Sequence, residues 1–169
     1  MTKLPPLLPE ETYARVCRVA KFDGLSVLIV AGFFALVSAT MGDALGAAVG
    51  SLAAGAGAME LHGVAVLHHG ERRGMSWLVG SQLSLLVVLL GYCALQLVRA
   101  KLPELPPETD SLIRMDAEQL GMTKSEFLRL FNRMLYGGFA IITFVYQGGM
   151  LLYYQRRRTA VAQALPEET

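Results

Sequence analysis

Ala44-Leu-Gly-Ala-Ala-Val-Gly50-Ser-Leu-Ala-Ala-Gly-Ala-Gly57-Ala-Met-Glu60-Leu-His62-Gly-Val-Ala-Val-Leu-His68 is the stretch whose reading decides the fold. At 1.5 Å per residue it is long enough to cross a hydrocarbon core of about 30 Å as a helix. It is built mostly from the smallest side chains. One carboxylate, Glu60, stands inside its apolar length. Gly46, Gly50, Ala53, Gly57, Glu60 and Val64 recur three or four residues apart, so they form one stripe of a helix. Small residues in such a row let a second backbone approach closely, and Gly46-x-x-x-Gly50 is the small-xxx-small pattern. Glu60 shares the stripe, which predicts that it packs against protein. A carboxylate facing lipid costs a few kcal/mol on insertion scales.

Three further apolar runs flank this one. The first covers about residues 22–40, the third 75–97 and the fourth 135–154. Trp77 opens the third at interface depth, and Tyr153-Tyr154 reads as the aromatic belt closing the fourth. The connections are Met41-Gly-Asp43, with Asp43 as the N-cap of the second span, and the polar turn His69-Gly-Glu-Arg-Arg-Gly74. Only 98–134 is a long connection. Its prolines 103, 106 and 107 predict an extended start, Asp110–Leu120 a short helix stopped by Gly121, and Thr123-Lys-Ser-Glu126 a capping box that starts a helix running into the fourth span. Before the first span, Met1–Pro9 lacks periodicity. From Glu10, the spacing of Tyr13, Val16, Cys17 and Ala20 predicts an amphipathic helix, either on the membrane surface or as an extension of the first span. The region is too long and too structured for a typical signal peptide, so the span is read as uncleaved.

Composition agrees. Hydrophobic residues make up 53% and charged residues 17% of the 169 positions, against about 25% charged in soluble domains. The expected fold is all-α: an integral membrane four-helix bundle in a single membrane domain, 1–169, with an amphipathic N-terminal helix and a helical extramembrane loop before the fourth span. A net charge of +1 gives no basic face for nucleic acid. Cys17 and Cys93 are expected to stay unpaired, and no spacing suits a structural zinc. Lysine and arginine placement puts both termini on the cytoplasmic side, in what is expected to be a bacterial inner membrane.

Depth counting predicts partners for Glu60. It lies roughly 12 Å in from His68, Ser84 a similar distance in from Trp77, and Gln147 a similar distance in from Arg156. The candidate site is therefore a buried polar cluster, or a proton or ion site, of Glu60, Gln147, Ser84 or Ser81, and Tyr146. Arg72, Arg73, Arg156, Arg157 and Arg158 are expected to meet anionic lipid headgroups. His62 and His69 share a face, and only a second copy of the chain would complete a bis-histidine site there. No cofactor, metal or catalytic residue is expected, because no nucleophile–base set, phosphate loop or carboxylate pair stands out. The leading functional expectation is a non-enzymatic membrane module that assembles with itself or a partner membrane protein through the glycine face. The alternative is an oligomeric channel or transporter subunit using Glu60 as a proton or cation site.

Overall fold

The structure is a computed structural model that describes residues 8–99, 113–115, 117 and 119–165. Four long helices carry the chain: α1 Pro9–Thr40, α2 Ala44–His68, α3 Gly74–Val98 and α4 Lys124–Ala164. There is no strand among the described residues. Each helix is long and apolar enough to cross a membrane. The protein is a multi-pass membrane protein of all-α architecture. The proline-rich run at 103–107 and the start of the Asp110–Leu120 helix lie outside the described residues, as do Met1–Leu7.

The surface accounts for the medium. Phe22, Ile29, Phe33, Phe34 and Leu36 on α1 are all at least 60% exposed, as are Ile141, Ile142, Phe144 and Val145 on α4. Such continuous apolar patches are too large for a protein in water and fit a lipid solvent.

Pro9 opens α1 at a position where its missing N–H costs nothing, and Glu10 and Glu11 complement the helix dipole. The helix then continues through Lys21 and Phe22 without a break. The amphipathic segment and the first span are thus one helix of 32 residues. That is about 48 Å of helix, more than the hydrocarbon core needs. Gly42 has φ +75°, the left-handed conformation that turns the chain towards α2. Asp43 caps α2 by accepting from the Gly46 N–H at 3.0 Å. Replacing Asp43 by Ala should cost about 1 kcal/mol, read as a lower midpoint in reversible unfolding from mixed micelles.

At the start of α4, Thr123 and Glu126 form the expected capping box. The Thr123 N–H donates to Glu126 Oε2 at 2.9 Å, and the Glu126 N–H donates to Thr123 Oγ1 at 3.3 Å. The helix runs 41 residues with no interruption at either glycine pair, Gly137-Gly138 or Gly148-Gly149.

Contacts group the chain into two compact units, Met1–Leu89 with Val145–Thr169, and Leu90–Phe144. The first is a four-helix bundle. Its core joins Val16, Cys17 and Ala20 of α1, Val64 and Leu67 of α2, Met75 and Leu78 of α3, and Tyr154 and Val161 of α4. In the second unit, Tyr92 and Tyr136 pack edge to face at 5.9 Å, and Asn132 Nδ2 donates to the Gln96 carbonyl at 3.2 Å. Cys17 and Cys93 are both buried, free thiols.

Candidate functional site

The site lies in the four-helix unit and begins with the approach of α1 to α2. A Cβ placed on Gly57 would fall 2.7 Å from the Gly24 carbonyl oxygen and 2.8 Å from the Leu28 nitrogen. One placed on Gly50 would meet the Ala35 backbone at 2.9 Å. Ala53, between them, is 4% exposed. The glycine face of α2 is therefore covered by α1 of the same chain. Gly46 sits at the start of α2, where its N–H is spent on Asp43. On α2's far side, Gly63 and Gly74 bring α3 equally near, a Cβ on Gly74 lying 2.7 Å from the Gly63 carbonyl oxygen.

This closeness sets Asp23, the residue before Gly24, beside Glu60. A Cβ on Gly24 would meet Glu60 Cβ at 3.2 Å. Both acids are buried, with 6% and 2% exposure. Gln82 of α3, 1% exposed, lies between them. Its Nε2 donates to Asp23 Oδ2 at 2.9 Å and to Glu60 Oε2 at 3.0 Å. The two carboxylate oxygens accept from one nitrogen, so they are no farther apart than those two bonds laid end to end. α4 supplies a phenol to each remaining oxygen. Tyr154 Oη donates to Glu60 Oε1 at 2.5 Å, and Tyr146 Oη donates to Asp23 Oδ1 at 2.8 Å. The two tyrosines are eight residues apart, about 12 Å along the helix. All four carboxylate oxygens thus receive a hydrogen bond, from α3 and α4.

Neither acid has an ion-pair partner among the described residues, whereas Arg73 pairs with Glu71 in the α2–α3 turn. Gln82 Oε1 is buried without a hydrogen-bond partner, and so is Gln147 Oε1. An acceptor left bare in a protein interior costs about 1–3 kcal/mol. The cluster is accordingly short of positive charge and of donors.

The expected residues fall as follows. Glu60 is buried within the chain, and Tyr146 bonds the second acid. Gln147 is buried at 5% exposure, but its amide oxygen has no hydrogen-bond partner. Ser81 Oγ donates to the Leu78 carbonyl of its own helix at 2.9 Å rather than to Glu60, because a serine in a helix satisfies itself on the preceding turn. Ser84 is half-buried. Tyr154 departs from the belt reading: it is 0% exposed and belongs to the core, while Tyr153 carries the Arg157 guanidinium over its ring at 5.9 Å. His62 is exposed and stacks edge-on against Trp77 at 5.0 Å. No group of three His, Cys, Asp or Glu side chains able to hold a metal occurs among the described residues.

Asp23, Gln82 and Tyr154 are the residues that sequence reasoning passed over. The signal was present. Val16, Ala20 and Asp23 continue one helical face, and Leu78, Gln82 and Leu85 another. Asp23 follows Lys21 so closely that it reads as a boundary charge, and Gln82 is not one of the third-span residues, Ser84 and Ser81, that the sequence singles out.

Tyr154→Phe removes one of the two hydrogen bonds on Glu60 without changing the packing. It should lower bundle stability by about 1–2 kcal/mol. Tyr146→Phe should cost less than about 1 kcal/mol, because the Tyr146 side chain is 52% exposed. Steric-trap or detergent unfolding of the two variants side by side measures the difference.

No protein-family model, curated protein or solved structure matches the chain.

Proposed function

We propose that this chain is a non-enzymatic, proton-coupled membrane protein whose core binds and releases a proton at the Asp23–Glu60 pair. The observation that carries the reading is Gln82 Nε2, which bridges two buried carboxylates that have no cationic partner among the described residues. Two like charges this close in a low-dielectric interior repel strongly, and intramembrane acids characteristically mark proton paths. One proton shared by the pair removes half of the charge. A metal cation fits poorly, because the amide nitrogen between the acids points its hydrogens at the place a cation would occupy.

The level of the pair supports exchange with one side. Arg18 and Lys21 are exposed just before Asp23, and Phe22 beside it is 76% exposed. The acids therefore sit where the charged part of α1 meets its lipid-facing part. By the positive-inside bias that end is cytoplasmic, so the proton exchanges with the cytoplasm.

Two other readings have less support. A pore lined by Glu60 at an oligomer axis needs the acid to face water, whereas Glu60 is 2% exposed within a single chain. Assembly through the glycine stripe needs that face to be free, and α1 occupies it. A second copy or a partner protein would use the outer surfaces instead.

The test is proton uptake by the full chain in lipid on a jump from alkaline to neutral pH, read with an indicator dye. Wild-type protein should take up about one proton per chain more than either Glu60→Gln or Asp23→Asn. Equal uptake by all three would remove the proton-binding reading.

A further inference from the structure

We infer that the cavity between the α2–α3 turn and the end of α4 is a binding site for a phosphate-bearing anion. It lies within the four-helix unit as an open recess of about 780 Å³, a size suited to a small ligand or a lipid headgroup. Its wall carries Arg72 and Arg73 from the turn and Arg158 from α4. Among the described residues the one acid on that wall, Glu71, pairs with Arg73. Three arginines against one glutamate give these lining residues a net charge of +2.

The guanidinium of Arg158 donates to Ser76 Oγ across 3.5 Å, at the outer limit of a hydrogen bond, so its remaining donors are open to a ligand. The forks of Arg72 and Arg158, with Arg73 shared with Glu71, match a group that presents several oxygens, and arginine binds phosphate in a bidentate way. A carboxylate would occupy a single fork. The floor is apolar, formed by Val161 and Leu165, which are 0% and 8% exposed. A basic rim above an apolar floor suits a phosphate ester whose remainder is less polar. Arg156 and Arg157 do not belong to this site: they line a separate recess of about 370 Å³ beside Tyr153.

The phosphate could arrive on an anionic lipid or on a soluble ester, and two arms separate these sources. In the first, the full chain in lipid-free detergent is titrated with inorganic phosphate and, at matched ionic strength, with chloride. In the second, the full chain is placed in nanodiscs containing phosphatidylcholine with or without phosphatidic acid, and retained lipid is identified by native mass spectrometry. Arg158→Gln should weaken phosphate binding or phosphatidic acid retention about tenfold or more, the loss of one charge-assisted hydrogen bond. Arg157→Gln should leave both unchanged within about threefold. The exposed turn variant Arg72→Gln repeats the test if Arg158→Gln does not fold. Preference in the detergent arm assigns a soluble ester, and retention in the nanodisc arm alone assigns a lipid. Equal response to phosphate and chloride with no retained phosphatidic acid overturns the inference. So does an Arg157→Gln defect as large as that of Arg158→Gln.

Discussion

Gly57→Val should destabilise the four-helix unit by about 3 kcal/mol and separate the two acids. The new Cβ would lie 2.7 Å from the Gly24 carbonyl oxygen and 2.8 Å from the Leu28 nitrogen. Both are backbone atoms, which cannot swing aside as a side-chain tip can, so α1 must move away from α2. That movement pulls Asp23 from Glu60 and opens the bridge through Gln82. Gly55→Val makes the control. It adds the same side chain to the same helix at a position with nothing within 4 Å, and it should be close to neutral. Reversible unfolding of the two variants by steric trapping gives the comparison. Equal stabilities would mean that the glycine face does not determine the α1–α2 approach.

Glu60→Leu should cost about 3 kcal/mol, and Glu60→Gln about half as much. Leucine leaves the Tyr154 hydroxyl and one Gln82 N–H buried without an acceptor, and each such orphan costs the full desolvation of a polar group. Glutamine removes the charge and keeps an oxygen for Tyr154, so it leaves only the Gln82 N–H without an acceptor. The pair of variants thus separates the structural role of the side chain from its ionisable role. A Glu60→Gln variant as unstable as Glu60→Leu would place the whole effect in the charge. Near-wild-type stability of both would mean that the network contributes nothing measurable.

The helices were legible because lipid imposes a simple pattern: runs of about 20 apolar residues separated by glycine-bearing polar turns. The helix boundaries at Ala44 and His68 follow from Asp43 and the turn after it, and Thr123 with Glu126 announces α4. The inward face of α2 was legible too, since glycines and Glu60 fall on one line. Asp23 was harder to see. Depth counted inward from His68 assumes that α2 ends at the membrane surface. Tyr13 Oη donates to the Leu67 carbonyl at 3.2 Å, so the α1 segment before the apolar run lies alongside the end of α2. The charged segment of α1 therefore packs against the last turns of α2, and the level of Glu60 is the level of Asp23, at the edge of the apolar run. Gln147 and Ser84 share an approximate depth with Glu60. Depth alone does not fix rotation about the helix axis, and it is Gln82, two residues from Ser84 and hence on a different face, that meets the acids.

The glycine stripe carried a second ambiguity. A row of small residues says that something approaches closely, and it does not say which helix. Gly24 on α1 provides the answer in the same physical terms: two glycines facing each other, Gly24 and Gly57, let two backbones meet. The first span holds two glycines, Gly24 and Gly32, and only Gly24 has a close neighbour, so its meaning became clear only beside its partner.

The measurement that tests the proton-holding pair most directly is infrared difference spectroscopy of the full chain in lipid, titrated from acid to alkaline pH. The carboxylic C=O stretch of a protonated acid stands apart from the carboxylate bands. Wild-type protein should show such a band at neutral pH, it should lose intensity reversibly as pH rises, and it should be missing or shifted in both Glu60→Gln and Asp23→Asn. A neutral-pH spectrum in which both acids are already ionised, with no band that either substitution changes, would contradict the account.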